Sequence, residues 1–207
     1  GSLLTDTFSV ISIGTDGNFS VSGDWEVRSK VLPSTYIADN YGFLGYRPYY
    51  ITADGKVEFD GNLDITASVL TARQKVGLYL DLENQTNLPG VTATLENKGK
   101  ITVTDTGTAL QLNVPSKSRA VSGQMINSGT IDVNSSGTFN YHATGMQILM
   151  PSSEGASATV KVGNINVNGV NDDGIYVRSG SYGNISSEIP SNVIIDGSDG
   201  LLTLNGS

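Results

Sequence analysis

The sequence predicts an all-β fold, a right-handed parallel β-helix built as a three-sheet solenoid with an irregular N-terminal cap, on three observations. Short alternating strands recur: "NKGKITVTDTGTALQLNV" at 97–114, "NSGTIDVNSSGTFNYHATGMQIL" at 127–149, "GNINVNGVNDDGIYVRSG" at 163–180, and a variant, "GNLDITASVLTARQKVGLYLDL", at 61–82. The joints between them are Gly, Asn, Asp and Ser, and helical periodicity is confined to "LTARQKVGL". The 207 residues are 38% hydrophobic and only 15% charged, which suits a folded core and argues against disorder.

Each repeat opens on a strand whose aliphatic pair faces one way: Leu63 and Ile65, Ile101 and Val103, Ile131 and Val133, Ile165 and Val167. Asp64, Thr102, Asp132 and Asn166 point the other way, so a neutral residue separates the two carboxylates of the stacked column. A second strand pairs Leu78 with Leu80, Leu110 with Leu112, Met146 with Ile148 and Ile175 with Val177. Its intervening residues, Tyr79, Gln111, Gln147 and Tyr176, are expected to face outward as a flat, repetitive ladder. Less regular third strands precede the later repeats, at "VTATL", "AVSGQM" and "ATVKV".

The repeat length is loose, stepping 38, 30 and 34 residues from Leu63 to Ile101, Ile131 and Ile165. Solenoids tolerate this because a turn can loop out without disturbing the stacked strands. The "NKG", "NSG" and "GN" groups before the first strands read as corners, where positive φ suits glycine and asparagine. One repeat cannot bury its aliphatic face; stacking supplies the missing partner.

The ends differ. Residues 3–60 are expected to form the N-terminal cap and first irregular rungs, with a β-hairpin turning at Thr15-Asp16-Gly17-Asn18. Residues 61–207 are expected to form the coils, cut at the C-terminal end through a longer helix; Ile185, Ile189, Val193, Ile195, Leu202 and Leu204 mark a further coil. Gly1 and Ser2 read as an expression scar.

Composition excludes several functions. The formal charge is −8 and no Lys/Arg run is present, which speaks against nucleic acid and anionic lipid. No apolar run approaches the roughly 20 residues that span a bilayer, so direct membrane insertion by this segment is not expected. The absence of cysteine removes disulfides, thiolate nucleophiles and Cys-based zinc sites. No cofactor or metal is expected.

The rhythm N-x-G-x-I-x-V followed by G-x-x-(L/M)-x-(L/I), with no cysteine and many Asn, Gly, Thr and Ser, resembles the passenger domains of Gram-negative autotransporters and related β-helical adhesins over residues 61 to about 204. The resemblance implies a protein presented at the cell surface from the bacterial outer membrane, exported with a C-terminal β-barrel that this chain lacks. It also implies adhesion, aggregation or biofilm formation, with a host surface protein or glycan as partner, or the same protein on another cell.

Parallel β-helices also host polysaccharide-degrading enzymes and tailspike-like proteins, which align carboxylates on an outer sheet. Asp172 and Asp173, ahead of Arg178, are the local acidic candidate, but Asn-Asp-Asp-Gly is ordinary corner chemistry and neighbouring repeats carry no matching pair. His142, the only histidine, falls in a long turn without an evident nucleophile or metal partner. Asp196 and Asp199 read as a turn ahead of a calcium site. No catalytic residue is assigned.

The aromatic stretch offers a binding candidate: Tyr36, Tyr41, Tyr46, Tyr49 and Tyr50, with Phe43, suit stacking on sugars or anchoring a protein. The competing reading, and the favoured one, is a bulky plug for the first rung. Three functions remain: an adhesin acting through its elongated flank, a spacer that carries another domain away from the membrane, and a carbohydrate-active enzyme.

Overall fold

A computed structural model describes residues 2–5, 9–14, 18–29, 40–46, 55–66, 75–81, 92–104, 107–113, 122–135, 143–150, 157–169, 172–179 and 192–205. Every regular element among them is a strand. The early ones are β1 (Ser2–Thr5), β2 (Ser9–Gly14), β3 (Asn18–Ser29), β4 (Asn40–Tyr46), β5 (Gly55–Thr66) and β6 (Lys75–Asp81). Then come β7 (Thr92–Asn97), β8 (Lys100–Thr104), β9 (Gly107–Asn113), β10 (Ser122–Asn127), β11 (Thr130–Asn134) and β12 (Ala143–Met150). The last are β13 (Ser157–Lys161), β14 (Asn164–Val167), β15 (Asp173–Ser179), β16 (Asn192–Asp196) and β17 (Leu202–Leu204).

Every described strand pairing is parallel, and the pairing order skips along the chain as a coiled path requires. One sheet runs β15-β12-β9-β6-β4-β2. The other, of eleven strands, runs β16-β13-β10-β7-β5-β8-β11-β14-β17 and adds β3 and β1 beside β5. The described chain is therefore all-β, with parallel strands in curled sheets stacked as in a solenoid. Three strand columns exist as expected, but hydrogen bonding joins two of them. The reason lies in β3 and β5, which pair from Asn18–Lys56 to Arg28–Thr66 and run through the corner unbroken, so that β5 carries β7 on its first half and β8 on its second.

The register follows the aliphatic alternation. Leu63, Ile101, Ile131, Ile165 and Leu202 form one column, and Ile65, Val103, Val133, Val167 and Leu204 the next. Leu78, Leu110, Met146 and Ile175 face them from the other sheet. With Phe59, Leu95, Met125 and Val160 the buried members of these columns, from Leu63 and Ile65 to Ile165 and Val167, make one continuous core, where each fully buried aliphatic contributes about 1.5–3 kcal/mol. Ile175 packs against it, and Leu202 and Leu204 are exposed. "LTARQKVGL" ends in β6; residues 67–74 lie outside the described residues.

Two expectations are corrected. The hairpin at Thr15-Asp16-Gly17-Asn18 does not form, because β2 pairs with β4 in one sheet while β3 pairs with β1 and β5 in the other. Parallel partners dozens of residues away win over the local turn. The corner glycines are also not chiefly a matter of φ. Only Gly23, Gly107 and Gly163 among the described glycines have positive φ. The common cause is close approach: a Cβ on Gly61 would lie 2.0 Å from the Gly23 carbonyl oxygen, one on Gly99 2.0 Å from that of Gly61, and one on Gly129 1.9 Å from that of Gly99. Gly200 meets the Gly163 oxygen at 1.9 Å in the same way. The corner is a stack of backbones with no space for a side chain.

Inside this corner, asparagine replaces aliphatic packing. Asn97 and Asn127 are buried on successive rungs. The Asn97 side-chain amide donates to Asn127 Oδ1 at 2.8 Å, and Asn127 Nδ2 donates to the carbonyls of Val162 and Asn164, each at 3.0 Å. Asn97 Oδ1 accepts the Gly99 N–H at 3.2 Å. These bonds satisfy backbone groups that a sharp corner takes out of the ladder.

Candidate functional site

The sequence offered two binding surfaces, and the structure treats them differently. Of the aromatic stretch, Tyr41 and Tyr46 fall on β4, with Tyr41 in register with Ser9 and Val76 and Tyr46 with Gly14 and Asp81. Their side chains, and the whole of Tyr36, Tyr49 and Tyr50, lie outside the described residues. The segments 30–39 and 47–54, expected as part of the cap, lie outside them too.

The Tyr79–Gln111–Gln147–Tyr176 ladder forms in the expected register. It is not the open surface expected of it. Tyr79 and Gln111 are each 7% exposed and Gln147 is 8% exposed, leaving Tyr176 at 38% as the accessible member. Tyr79 packs with Val76 apart from the main core, so the face is the outer one and is nevertheless covered. Alternation fixes which face a residue occupies and says nothing of what lies over that face. Burial leaves Oε1 of Gln111 and of Gln147 without a hydrogen-bond partner, an uncompensated cost of about 1–3 kcal/mol for each.

Among the described residues an accessible polar surface lies on the outward side of β5, β8, β11, β14 and β17. Asp64 is exposed, and Thr102, Asp132, Asn166 and Thr203 are half-buried in register below it. Beside them run Thr104, Asn134, Asn168 and Asn205. The asparagines bond rung to rung: Asn168 Nδ2 donates to Asn134 Oδ1 at 2.8 Å, and Asn205 Nδ2 to Asn168 Oδ1 at 2.9 Å. Asn166 Nδ2 likewise donates to Asp132 at 2.7 Å. The flank is thus braced from rung to rung by its own side chains.

Charge on this eleven-stranded sheet is paired across rungs, on the β8–β11 flank and, around the corner, on the first half of β5 and on β7. Lys100 reaches the Asp132 carboxylate at 2.8 Å. Glu58 and Glu96 are neighbours on adjacent strands, a repulsive arrangement that Lys56 neutralises by bridging both, aided by Lys98 at 2.9 Å from Glu58. Ser128 Oγ also donates to Glu96 at 2.9 Å. Hydrogen bonds from Lys56 and then Lys98 hold the Glu58 carboxyl below its ordinary value. For Asp132 burial pushes upward, but the hydrogen bonds from Lys100 and Asn166 outweigh it and the net direction is down.

A carboxyl with a lowered folded-state pKa contributes stability that is present above its unfolded value, here 3.8, and is lost as pH falls through the folded value. We therefore expect the denaturation midpoints of the parent chain and Asp132→Asn to differ at neutral pH and to converge in acid. Urea titrations across the acid range read this directly. A constant gap down to the lowest pH would show that Asp132 acts through shape rather than charge.

Two further carboxylates have structural partners, Asp172 and Asp196. Asp172 accepts the N–H of Ser135 at 3.0 Å and that of Ala143 at 3.1 Å, so it ties the end of β11 to the start of β12 on the preceding rung. His142 lies outside the described residues. Asp173 stands on β15 in register with Thr144, and Arg178 is exposed on the same strand. Asp196 accepts the Ser198 N–H at 3.0 Å, and that residue's hydroxyl and N–H hold its carboxyl below the usual aspartate range. Among the described residues no three His, Cys, Asp or Glu side chains gather as a metal cluster, and no helix is long and apolar enough to cross a membrane.

Two of these roles escaped the sequence reading. The corner asparagines were legible as turn formers, yet their burial and their bonds to the next rung follow only once Asn97 is stacked on Asn127. The Asp172 clamp joins residues 37 and 29 positions apart, a separation that no local motif encodes. No protein-family model, curated protein or solved structure matches this chain.

Proposed function

We propose that the chain is a segment of a right-handed parallel β-helix displayed at the bacterial cell surface, where it acts as a non-enzymatic adhesin of the autotransporter-passenger type. Its partner is a host surface protein or glycan, or the same protein on a neighbouring cell. Right-handed connection is the rule for parallel strands joined by a crossover, in about 98% of cases.

The observation that carries the reading is the employment of the carboxylates. Asp132, Asp172 and Asp196 are bound to a lysine, to backbone amides and to a turn serine, so they serve as braces of a stacked scaffold. What the scaffold presents is the flank of Thr102, Asn134, Asn166 and Asn168, which repeats a hydroxyl or carboxamide on each rung. Such a surface suits many weak polar contacts summed along its length.

The test is to coat beads with the purified chain and to measure bead–bead aggregation and attachment to cultured host cells. Either activity above that of uncoated beads, reduced several-fold by Asn134→Arg with Asn168→Arg, is the expected result. Inert beads would leave the spacer reading in its place, and release of sugar fragments from an acidic polysaccharide would restore the enzyme.

A further inference from the structure

We propose that Gln111 and Gln147 hold a sodium ion on the outer face of the six-stranded sheet, with their side-chain oxygens as its shared ligands.

The two glutamines stand in direct register on adjacent strands, β9 and β12. They are 7% and 8% exposed, and the Oε1 atom of each is closed to solvent and has no hydrogen-bond partner. Stacked carboxamides elsewhere in this molecule behave otherwise. Asn97 donates to Asn127, Asn168 to Asn134 and Asn205 to Asn168, so that each amide satisfies the oxygen of the next rung. Gln111 and Gln147 are stacked in the same way and keep both oxygens as unpaired acceptors. Each such atom gives up its hydration without return, which in a folded protein points to an ion or donor beside it.

The surroundings select the kind of ion. Thr108 and Thr144 form the neighbouring column of the same face, both buried, and half-buried Asp173 follows Thr144 on β15. Their outward direction follows from the glycines next to them: a Cβ on Gly145 would meet the Ile165 side chain of the core, and one on Gly174 that of Val167. Among the described residues, the buried part of this face therefore carries oxygen atoms and no charge, with one carboxylate at its edge.

Neutral oxygens do not repay the dehydration of a divalent ion, which gathers carboxylates or keeps its own waters. A singly charged ion is easier to strip, and one carboxylate balances it. Size narrows the choice further. Neither oxygen is open to a water molecule, and a bare sodium ion is smaller than water. Adjacent rungs lie about 4.8 Å apart. An ion of calcium's size, which sodium shares, takes oxygen ligands at about 2.3–2.6 Å, so one ion reaches both rungs. Carboxamide oxygens are not the residue types by which a metal site is ordinarily read from sequence.

The probe is sodium chloride, exchanged for choline chloride at constant ionic strength, with the intact chain. We expect the sodium NMR line to broaden saturably, and the urea midpoint to rise with sodium as for any ligand that binds the folded state alone. Both responses are expected to vanish in Gln111→Met with Gln147→Met, which keeps side-chain length and removes the acceptors. In choline this double variant is expected to be at least as stable as the parent, because no buried oxygen is left unpaired. Gln147→Glu supplies a charged ligand and is expected to bind sodium at least about tenfold more tightly. It also decides the matter should the methionine pair upset folding.

A midpoint indifferent to sodium, or a sodium response as large in the methionine pair as in the parent, would overturn the proposal. So would a Gln147→Glu variant equally destabilised in both salts, or a chain that answers to calcium and not to sodium.

Discussion

Gly129→Ala is expected to lower stability by about 3 kcal/mol or more, although it adds a single methyl group and no unfavourable φ is involved. The added Cβ would stand 1.9 Å from the Gly99 carbonyl oxygen and 2.8 Å from both the carbonyl carbon and the oxygen of Lys98. These are backbone atoms of the neighbouring rung, which the ladder between β8 and β11 holds in place. No side chain is available to swing aside, so relief requires parting two rungs that normally lie about 4.8 Å apart. Gly197→Ala supplies the control, since nothing lies within 4 Å of its Cβ position. Urea denaturation followed by circular dichroism compares the two. Similar midpoints for both variants would mean that the corner stack is looser than these distances require.

Asn127 carries the second large effect. Its removal in Asn127→Ala takes the acceptor from Asn97 Nδ2 and the donor from the carbonyls of Val162 and Asn164 at once. With Asn127 2% exposed, water is poorly placed to repair the loss, and a cost of about 2–4 kcal/mol is expected. Asn127→Asp is the sharper case. It keeps the acceptor for Asn97 but sets a charged carboxylate against two carbonyl oxygens, so it is expected to be the more damaging variant despite its near-identical shape. If aspartate were tolerated better than alanine at neutral pH, the direction assigned to these hydrogen bonds would be wrong.

Much of the fold was legible because its main signal is local. Aliphatic alternation in "ITV", "IDV" and "INV" has period two whatever lies nearby, and it placed Ile101, Ile131 and Ile165 in one column as the register has them. The N-terminal region misled for the complementary reason. Thr15 to Asn18 carries good turn chemistry, and turn chemistry cannot tell a hairpin from a passage between sheets. The choice is made by β3 meeting β5, a parallel pairing 38 residues away from Asn18 to Lys56.

The candidate site was less legible. Tyr79, Gln111 and Gln147 were assigned to the correct face and the wrong environment, because polarity in a sequence does not report what covers a sheet. The flank beside them was hidden by its plainness. Threonine, asparagine and aspartate in alternate positions look like filler until Lys100 is seen on Asp132 and Asn168 on Asn134.

The glycine corner also explains how coils of unequal length remain in step. From Gly61 to Gly99, Gly129, Gly163 and Gly200 the chain spends a different number of residues on each circuit, and at every return a glycine stands against the backbone of the rung before. The corner is a phase mark. A residue gained or lost in a distant turn is absorbed before the mark comes round, while a slip at the mark itself would drive a side chain into a carbonyl. Errors in winding therefore do not accumulate from coil to coil, and the turns between the registered strands can differ in length because every circuit returns to the same mark.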